Sequence, residues 1–287
     1  MKILVTGANG MLGRDILKVL GREQTHDVIG FDRLQWDVTN PIRTTDIVKQ
    51  SNPDVIIHCA AYTKVDQAEQ DFELACQINS EATKMLASLC ADYDIRLVYI
   101  STDYVFDGKK ATGYTEYDEV NPINCYGLSK RMGEEYVERI CPHFLILRTS
   151  WLYGNQGNHF VRAILQKAKM GEPLSVVDDQ VGSPTYTVHL AEKISDLLKT
   201  EEKGVFHTAG EGSCSWFQFA TYILEQANLD VRIHAITSDD LTRAAKRPAY
   251  SILIPKRSLN ANLPLLPHWK IGVEAYFDVI REGVNHD

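Results

Sequence analysis

Lys2-Ile3-Leu4-Val5-Thr6-Gly7-Ala8-Asn9-Gly10-Met11-Leu12-Gly13 opens the chain and decides how the rest is read. The aliphatic run predicts a strand, and the amphipathic stretch Leu12–Leu20 predicts a helix directly after it. Between them Gly7, Gly10 and Gly13 form G-x-x-G-x-x-G, one residue longer in its first gap than the G-x-G-x-x-G fingerprint of dinucleotide sites. Glycines there permit a tight turn and bring bare backbone N–H groups to a pyrophosphate at the helix amino end. An ordinary strand-to-helix turn is the plainer reading of three glycines. Their position directly after the first strand tips the balance towards a dinucleotide.

Outward from this stretch, short apolar runs alternate with longer amphipathic ones. Strands are expected at Ile3–Thr6, Val28–Phe31, Val55–Cys59, Leu97–Ser101 and Phe144–Arg148, with helices at Leu12–Leu20, Thr44–Gln50, Glu73–Asp92 and Tyr126–Ile140. Near-continuous Val/Ile/Leu strands joined by helical crossovers predict an α/β fold with a doubly wound parallel sheet. After Trp151 the rhythm loosens. Helices are expected at His159–Met170, Val188–Lys199 and Trp216–Gln226, separated by loops containing Gly and Pro. The division expected is a Rossmann nucleotide-binding domain over 1–150, completed by parts of 180–210, and a smaller α/β substrate lobe over 151–287.

Composition bounds the function. The 287 residues carry a formal net charge of −8, which offers polyphosphate no general attraction, so no nucleic-acid partner is expected. No apolar run reaches the ~18 residues of a membrane span, so no membrane partner is expected either. Thr6 and Gly7 arrive before the apolar core of a leader could form, and a cytoplasmic protein is expected. The six cysteines include no C-x-x-C pair and do not cluster with His, so buried thiols are expected rather than disulfides, and no metal site.

Asp32 ends the second expected strand, about 20 residues after the glycines, where an acid binds ribose hydroxyls. Arg33 follows at once and can pair with a 2′-phosphate. Asp32 favours NAD and Arg33 favours NADP, and both stand open. Tyr126 and Lys130 share one helical face at i, i+4. A phenol that titrates near ~10 transfers protons poorly at neutral pH, and a nearby ammonium favours its ionised form, giving a workable general acid/base. The spacing alone arises by chance on the order of once in such a chain. Its company gives it meaning: Ser101-Thr102-Asp103 ends a strand at the carboxyl edge of the sheet, where doubly wound folds bind ligands. Capping of the next turn is the plainer reading of Ser and Thr there.

Together, G-x-x-G-x-x-G, Asn79, Ser101/Thr102 and Tyr126-x-x-x-Lys130 resemble an extended short-chain dehydrogenase/reductase. Three longer strings are similar to the dTDP-4-dehydrorhamnose reductases within that superfamily: Ser101-Thr-Asp-Tyr-Val-Phe-Asp-Gly108, Arg148-Thr-Ser-Trp-Leu-Tyr153 and Asp179-Gln-Val-Gly-Ser-Pro-Thr185. The likeness runs nearly end to end, through Pro264–Trp269. It implies NADPH as cofactor, with NADH the alternative, and reduction of dTDP-4-dehydro-L-rhamnose to dTDP-L-rhamnose, a precursor of surface polysaccharide. Gly10, Met11 and Leu12 would contact the cofactor, with Asp32, Asp37 and Val38 near its adenosine half and Ala61, Tyr62 and Thr63 along the dinucleotide. Tyr126 would be the proton donor, and Lys130 would hold the nicotinamide ribose. Asn79 would support Lys130 through water. Thr102, Asp103 and Trp151 would touch the sugar, the Trp by stacking its face on C–H groups or donating its N–H. A core Trp at the lobe junction is the plainer reading of Trp151. The partner implied is a small nucleotide sugar, with a homodimer left open.

One departure stands out: Ile254-Pro255-Lys256-Arg257 lacks the polar turn expected after the family-like Arg247-Pro248 segment. Three other readings share the fold. A 4,6-dehydratase needs a further acid–base pair after Thr102, of which Asp103-Tyr104 supplies half. A 4-epimerase and a cofactor-binding regulatory subunit, like that of methionine adenosyltransferase, are separated from a reductase by activity rather than by sequence.

Overall fold

The computed structural model describes residues 1–23 and 25–284. In chain order the first half comprises β1 (Lys2–Thr6), α1 (Met11–Arg22), β2 (Asp27–Phe31), α2 (Pro41–Ser51), β3 (Val55–His58), α3 (Phe72–Cys76), a π-helical turn (Gln77–Glu81), α4 (Ala82–Asp92), β4 (Arg96–Thr102), α5 (Cys125–Ile140) and β5 (Phe144–Thr149). The second half adds β6 (Leu152–Tyr153), α6 (Phe160–Lys169), β7 (Leu174–Val177), β8 (Val181–Gly182), β9 (Thr185–Tyr186), α7 (Thr187–Leu198), β10 (Gly204–His207), β11 (Cys214–Ser215), α8 (Trp216–Gln226), β12 (Ile233–Ile236), α9 (Lys256–Asn260) and α10 (Trp269–Val284).

The expected doubly wound parallel sheet is present, with order β10-β5-β4-β3-β1-β2. The order reverses between β1 and β3, which opens a crevice at the carboxyl ends of those strands. Both faces are covered. Ile16 and Leu20 of α1 and Leu190, Ile194 and Leu197 of α7 pack on one side, and Trp36, Ile47, Leu86 and Val137 on the other. Each such side chain taken fully from water contributes about 1.5–3 kcal/mol. The sixth strand, β10, pairs with β5 from the second half of the chain.

A third core, containing Val161, Leu174, Phe219, Trp269, Val273 and Phe277, joins α6, α8, α10 and the parallel pair β7–β12. Neither the β7–β12 pair nor the other short strands of the second half were expected from sequence. Helix α10 was not expected, although Trp269, Val273, Tyr276 and Phe277 recur at helical spacing. The single helix expected over Glu73–Asp92 is interrupted by a π turn at Gln77–Glu81, which carries Asn79.

The Ile254–Arg257 departure is accommodated without a polar turn. Ile254 N–H donates to the Tyr114 carbonyl at 2.7 Å, and Arg257 donates to the Lys203 carbonyl at 2.7 Å, tying α9 to the segment entering β10. All six cysteines are free thiols.

Candidate active site

The glycine turn is dictated by close approach. Gly7 has φ +64°, and a Cβ there would stand 2.8 Å from the Ala60 nitrogen in the loop after β3. A Cβ on Gly13 would stand 2.5 Å from the Gly7 carbonyl oxygen. Gly10 is the N-cap of α1 and supplies no capping side chain, so the helix presents backbone N–H groups to the crevice. These features fit a diphosphate, and they are what the residues there provide for a dinucleotide.

The crevice is a cavity of about 920 Å³. Gly7, Gly10, Met11, Leu12, Gly13, Asp32, Arg33, Asp37, Val38, Ala61, Thr63, Thr102, Asp103, Tyr126, Lys130 and Trp151 all line it, which brings sixteen of the seventeen residues expected to touch cofactor or sugar into one place. Tyr62 is the exception. Its side chain leaves the cleft and its hydroxyl donates to Asp71 Oδ2 at 3.0 Å, while its backbone is clamped by Asn79, whose Oδ1 accepts from Tyr62 N–H at 2.8 Å. Asn79 also donates to Ser129 Oγ at 2.9 Å. Asn79 is thus seen holding the loop after β3 against α5.

At the β2 end, Asp32 is fully engaged. Its Oδ1 accepts from the backbone N–H of Leu34 and Gln35, both at 2.9 Å, and its Oδ2 from Asn9 Nδ2 at 2.9 Å. The acid therefore caps its own turn, and Arg33 lines the cleft beside it.

At the other end, Thr102 both caps and lines. Its Oγ1 accepts from Tyr104 N–H at 3.1 Å and donates to Asp103 Oδ1 at 2.9 Å. Asp103 is 2% exposed and its Oδ2 has no partner. Burial pushes its carboxyl up to about 7, against the opposing influence of the nearby Ser251 and Thr102 hydroxyls. Helix α5 starts at the Asn124 N-cap, whose Oδ1 accepts from Gly127 N–H at 2.7 Å, and this aims Tyr126 and Lys130 at the cleft. Burial pushes the Tyr126 phenol up to about 12, opposed by a hydrogen bond with Thr102. Lys130 Nζ sits over the Tyr99 ring, 3.9 Å from its centroid, and burial draws that amine down to about 7.

Trp151 stands at φ +48°, a left-handed conformation unusual for a bulky side chain and characteristic of functional sites. The face it would offer a sugar is covered by Trp216, which sequence reasoning missed. The available signal was a Trp opening a helix directly after Ser215, whose hydroxyl and Gln218 form a capping box. The pairing of β11 with β8 sets Cys214 opposite Gly182 and so brings Trp216 to the cleft. Arg247 clasps Asp66 in a bidentate pair, at 2.8 and 2.6 Å, joining the segment before α9 to the loop after β3. Those hydrogen bonds hold the Asp66 carboxyl down to about 2.

The family described as the RmlD substrate binding domain matches residues 1–282. A dTDP-4-dehydrorhamnose reductase of Aggregatibacter actinomycetemcomitans is 39% identical, over 88% of this chain and 90% of its own. The chain belongs to the dTDP-4-dehydrorhamnose reductase family. The spore coat polysaccharide biosynthesis protein SpsK of Bacillus subtilis is 36% identical over 96% of each chain. The crystal structure of a dTDP-4-dehydrorhamnose reductase from Bacillus anthracis in complex with NADP superposes with a TM-score of 0.94 at 41% identity, covering 96% of this chain and 98% of that one. Family membership carries the fold and the class of enzyme, an NAD(P)H-dependent oxidoreductase acting on a nucleotide sugar. No helix among the described residues is long and apolar enough to cross a membrane.

Proposed function

We propose that this protein reduces dTDP-4-dehydro-L-rhamnose to dTDP-L-rhamnose with NADPH. The observation that carries this reading is the meeting of Tyr126, Thr102 and Lys130 with the glycine turn in a single cavity, within a chain 39% identical to a named reductase.

When bound, the reduced nicotinamide supplies a hydride to C4 of the sugar. Tyr126 gives its phenolic proton to the oxygen at that carbon. A phenol held up to about 12 stays protonated at neutral pH, which suits a donor. Thr102 steadies the same oxygen through its hydroxyl, and Lys130 holds the nicotinamide ribose. The bare N–H groups of α1 bind the pyrophosphate, and Arg33 pairs with the 2′-phosphate because Asp32 is occupied with its own turn. Asp103 and the indole N–H of Trp151 orient the sugar. The lobe from 151 onward closes over the nucleotide sugar through the Arg247–Asp66 pair.

The test is to mix the protein with dTDP-4-dehydro-L-rhamnose and NADPH and follow nicotinamide absorbance, with Tyr126→Phe alongside. Wild-type turnover that falls by about 10²–10⁴ in the variant, with NADPH binding retained, supports the reading. Tight NADPH binding without oxidation would leave a cofactor-binding partner protein instead.

A further inference from the structure

The helical face that carries Tyr126 and Lys130 carries a third group one turn on, Glu134. Its side chain is completely buried. Its Oε1 accepts from Ser101 Oγ at 2.6 Å and Arg148 Nε at 2.8 Å, and its Oε2 from Arg148 Nη2 at 2.8 Å and Arg131 Nη1 at 3.1 Å. Ser101 and Arg148 are register partners on β4 and β5, and each directly precedes a cleft residue, Thr102 and Thr149. One carboxylate therefore ties α5 to the carboxyl ends of two central strands, at the level of the cleft.

Stability alone is a weak reason for such a group, because apolar packing serves a core as well as a buried ion pair does. This network also leaves Arg148 Nη1 without a partner. The charge itself has a use at Lys130. The titratable groups around that amine are Glu134 and Tyr126 from its own helix, His58 and Cys59 from the end of β3, and Tyr99 from β4. Burial keeps His58 neutral at physiological pH, and it keeps the Cys59 thiol and the Tyr99 and Tyr126 phenols protonated. That leaves Glu134, one helical turn along α5, as the anion whose charge favours the Lys130 ammonium. We propose that Glu134 is the positioning residue of this site, its fixed carboxylate keeping Lys130 in the ammonium form and α5 in register with Thr102. The proposal deepens the reading of Lys130 as the group that holds the nicotinamide ribose, and rests on it.

The test titrates the whole protein labelled with ¹⁵N-lysine, with the Lys130 Nζ signal assigned through Lys130→Arg. Glu134→Gln keeps the shape and removes the charge, and the titration midpoint of Lys130 falls by about one pH unit. The alkaline limb of reductase turnover falls with it. A Glu134 that merely braces the fold would lower stability or turnover at every pH and leave the midpoint where it was, and that result overturns the proposal. If Glu134→Gln does not fold, Arg131→Met decides. Removing the cation that competes for the same carboxylate raises the Lys130 midpoint, whereas an unmoved or lowered midpoint overturns the proposal. If the midpoints move as expected but NADPH is consumed by none of the proteins, the role of Glu134 stands and the reductase reading falls.

Discussion

Trp151 and Trp216 lie face to face, their ring centroids 3.5 Å apart and their planes within 6° of parallel. The Gly182 backbone also lies against the Trp151 indole, where an added Cβ would stand 2.5 Å from Cε2. Protein therefore covers what a sugar would otherwise stack upon, and the pair acts as one aromatic wall of the cleft. Its offer to a ligand is the Trp151 N–H and the exposed part of Trp216.

Shortening that wall should affect the sugar and leave the cofactor alone. Trp216→Leu is expected to raise KM for the nucleotide sugar about tenfold, with kcat nearly unchanged, as for a contact made equally in ground and transition states. NADPH affinity stays constant, and the near-UV circular dichroism of the stacked pair is lost. An equal loss of NADPH affinity would place the pair on the cofactor side.

Asp103 makes the stability of the fold depend on pH. Its folded-state carboxyl is raised to about 7 by burial, so the native chain holds a proton that the unfolded chain releases. Stability from this group is full below the ordinary carboxylate value of 3.8 and declines as pH rises towards about 7. Asp103→Asn removes that decline. Urea midpoints at pH 5 and pH 8 check it, using conditions set about the two ends of this window. The variant is expected to gain on wild type at the higher pH, and an unchanged difference between the two pH values counts against the raised carboxyl.

Much of this site was legible in the sequence because local spacing fixes local geometry. Gly7, Gly10 and Gly13 sit where strand meets helix, and Tyr126 and Lys130 share a face whatever surrounds them. What sequence could not give is orientation and partnership across the fold. Tyr62 lies in the right loop, yet its side chain turns to Asp71 instead of the cleft. Trp216 is 65 positions from Trp151 and meets it through a two-residue strand pairing too short to leave a periodic signal. Asp32 was read from its position alone, and only the fold reveals that three donors already occupy its carboxylate. Strand β10 is only four residues long and completes an edge, on β5, that lies far from it in sequence, so no local pattern marks it.

The engagement of Asp32 yields a prediction on cofactor choice. With the acid committed to its turn, Arg33 is left to discriminate through the 2′-phosphate. Arg33→Ala is expected to weaken NADPH binding about 10–100-fold, the worth of a charge-assisted hydrogen bond. NADH binding changes little. Fluorescence titration with both cofactors checks this, and parallel losses would assign Arg33 a general role in shaping the loop.

Two glycines should respond to the same substitution with opposite signs. Gly21 is exposed near the end of α1, and a Cβ built there meets nothing within 4 Å. Gly21→Ala therefore removes backbone freedom from the unfolded chain without strain and is expected to stabilise by about 0.5–1 kcal/mol. Gly7 offers no such room. Its φ of +64° disfavours any side chain, and the added carbon would press on Ala60 N at 2.8 Å and Cα at 2.9 Å. Gly7→Ala is expected to destabilise by about 1–3 kcal/mol and to abolish NADPH binding, because relief of the clash must move either the glycine turn or the loop after β3. Denaturant midpoints and cofactor titration on the two variants separate these outcomes. A Gly7→Ala protein that still binds NADPH normally would mean that the glycine turn does not form the diphosphate cradle.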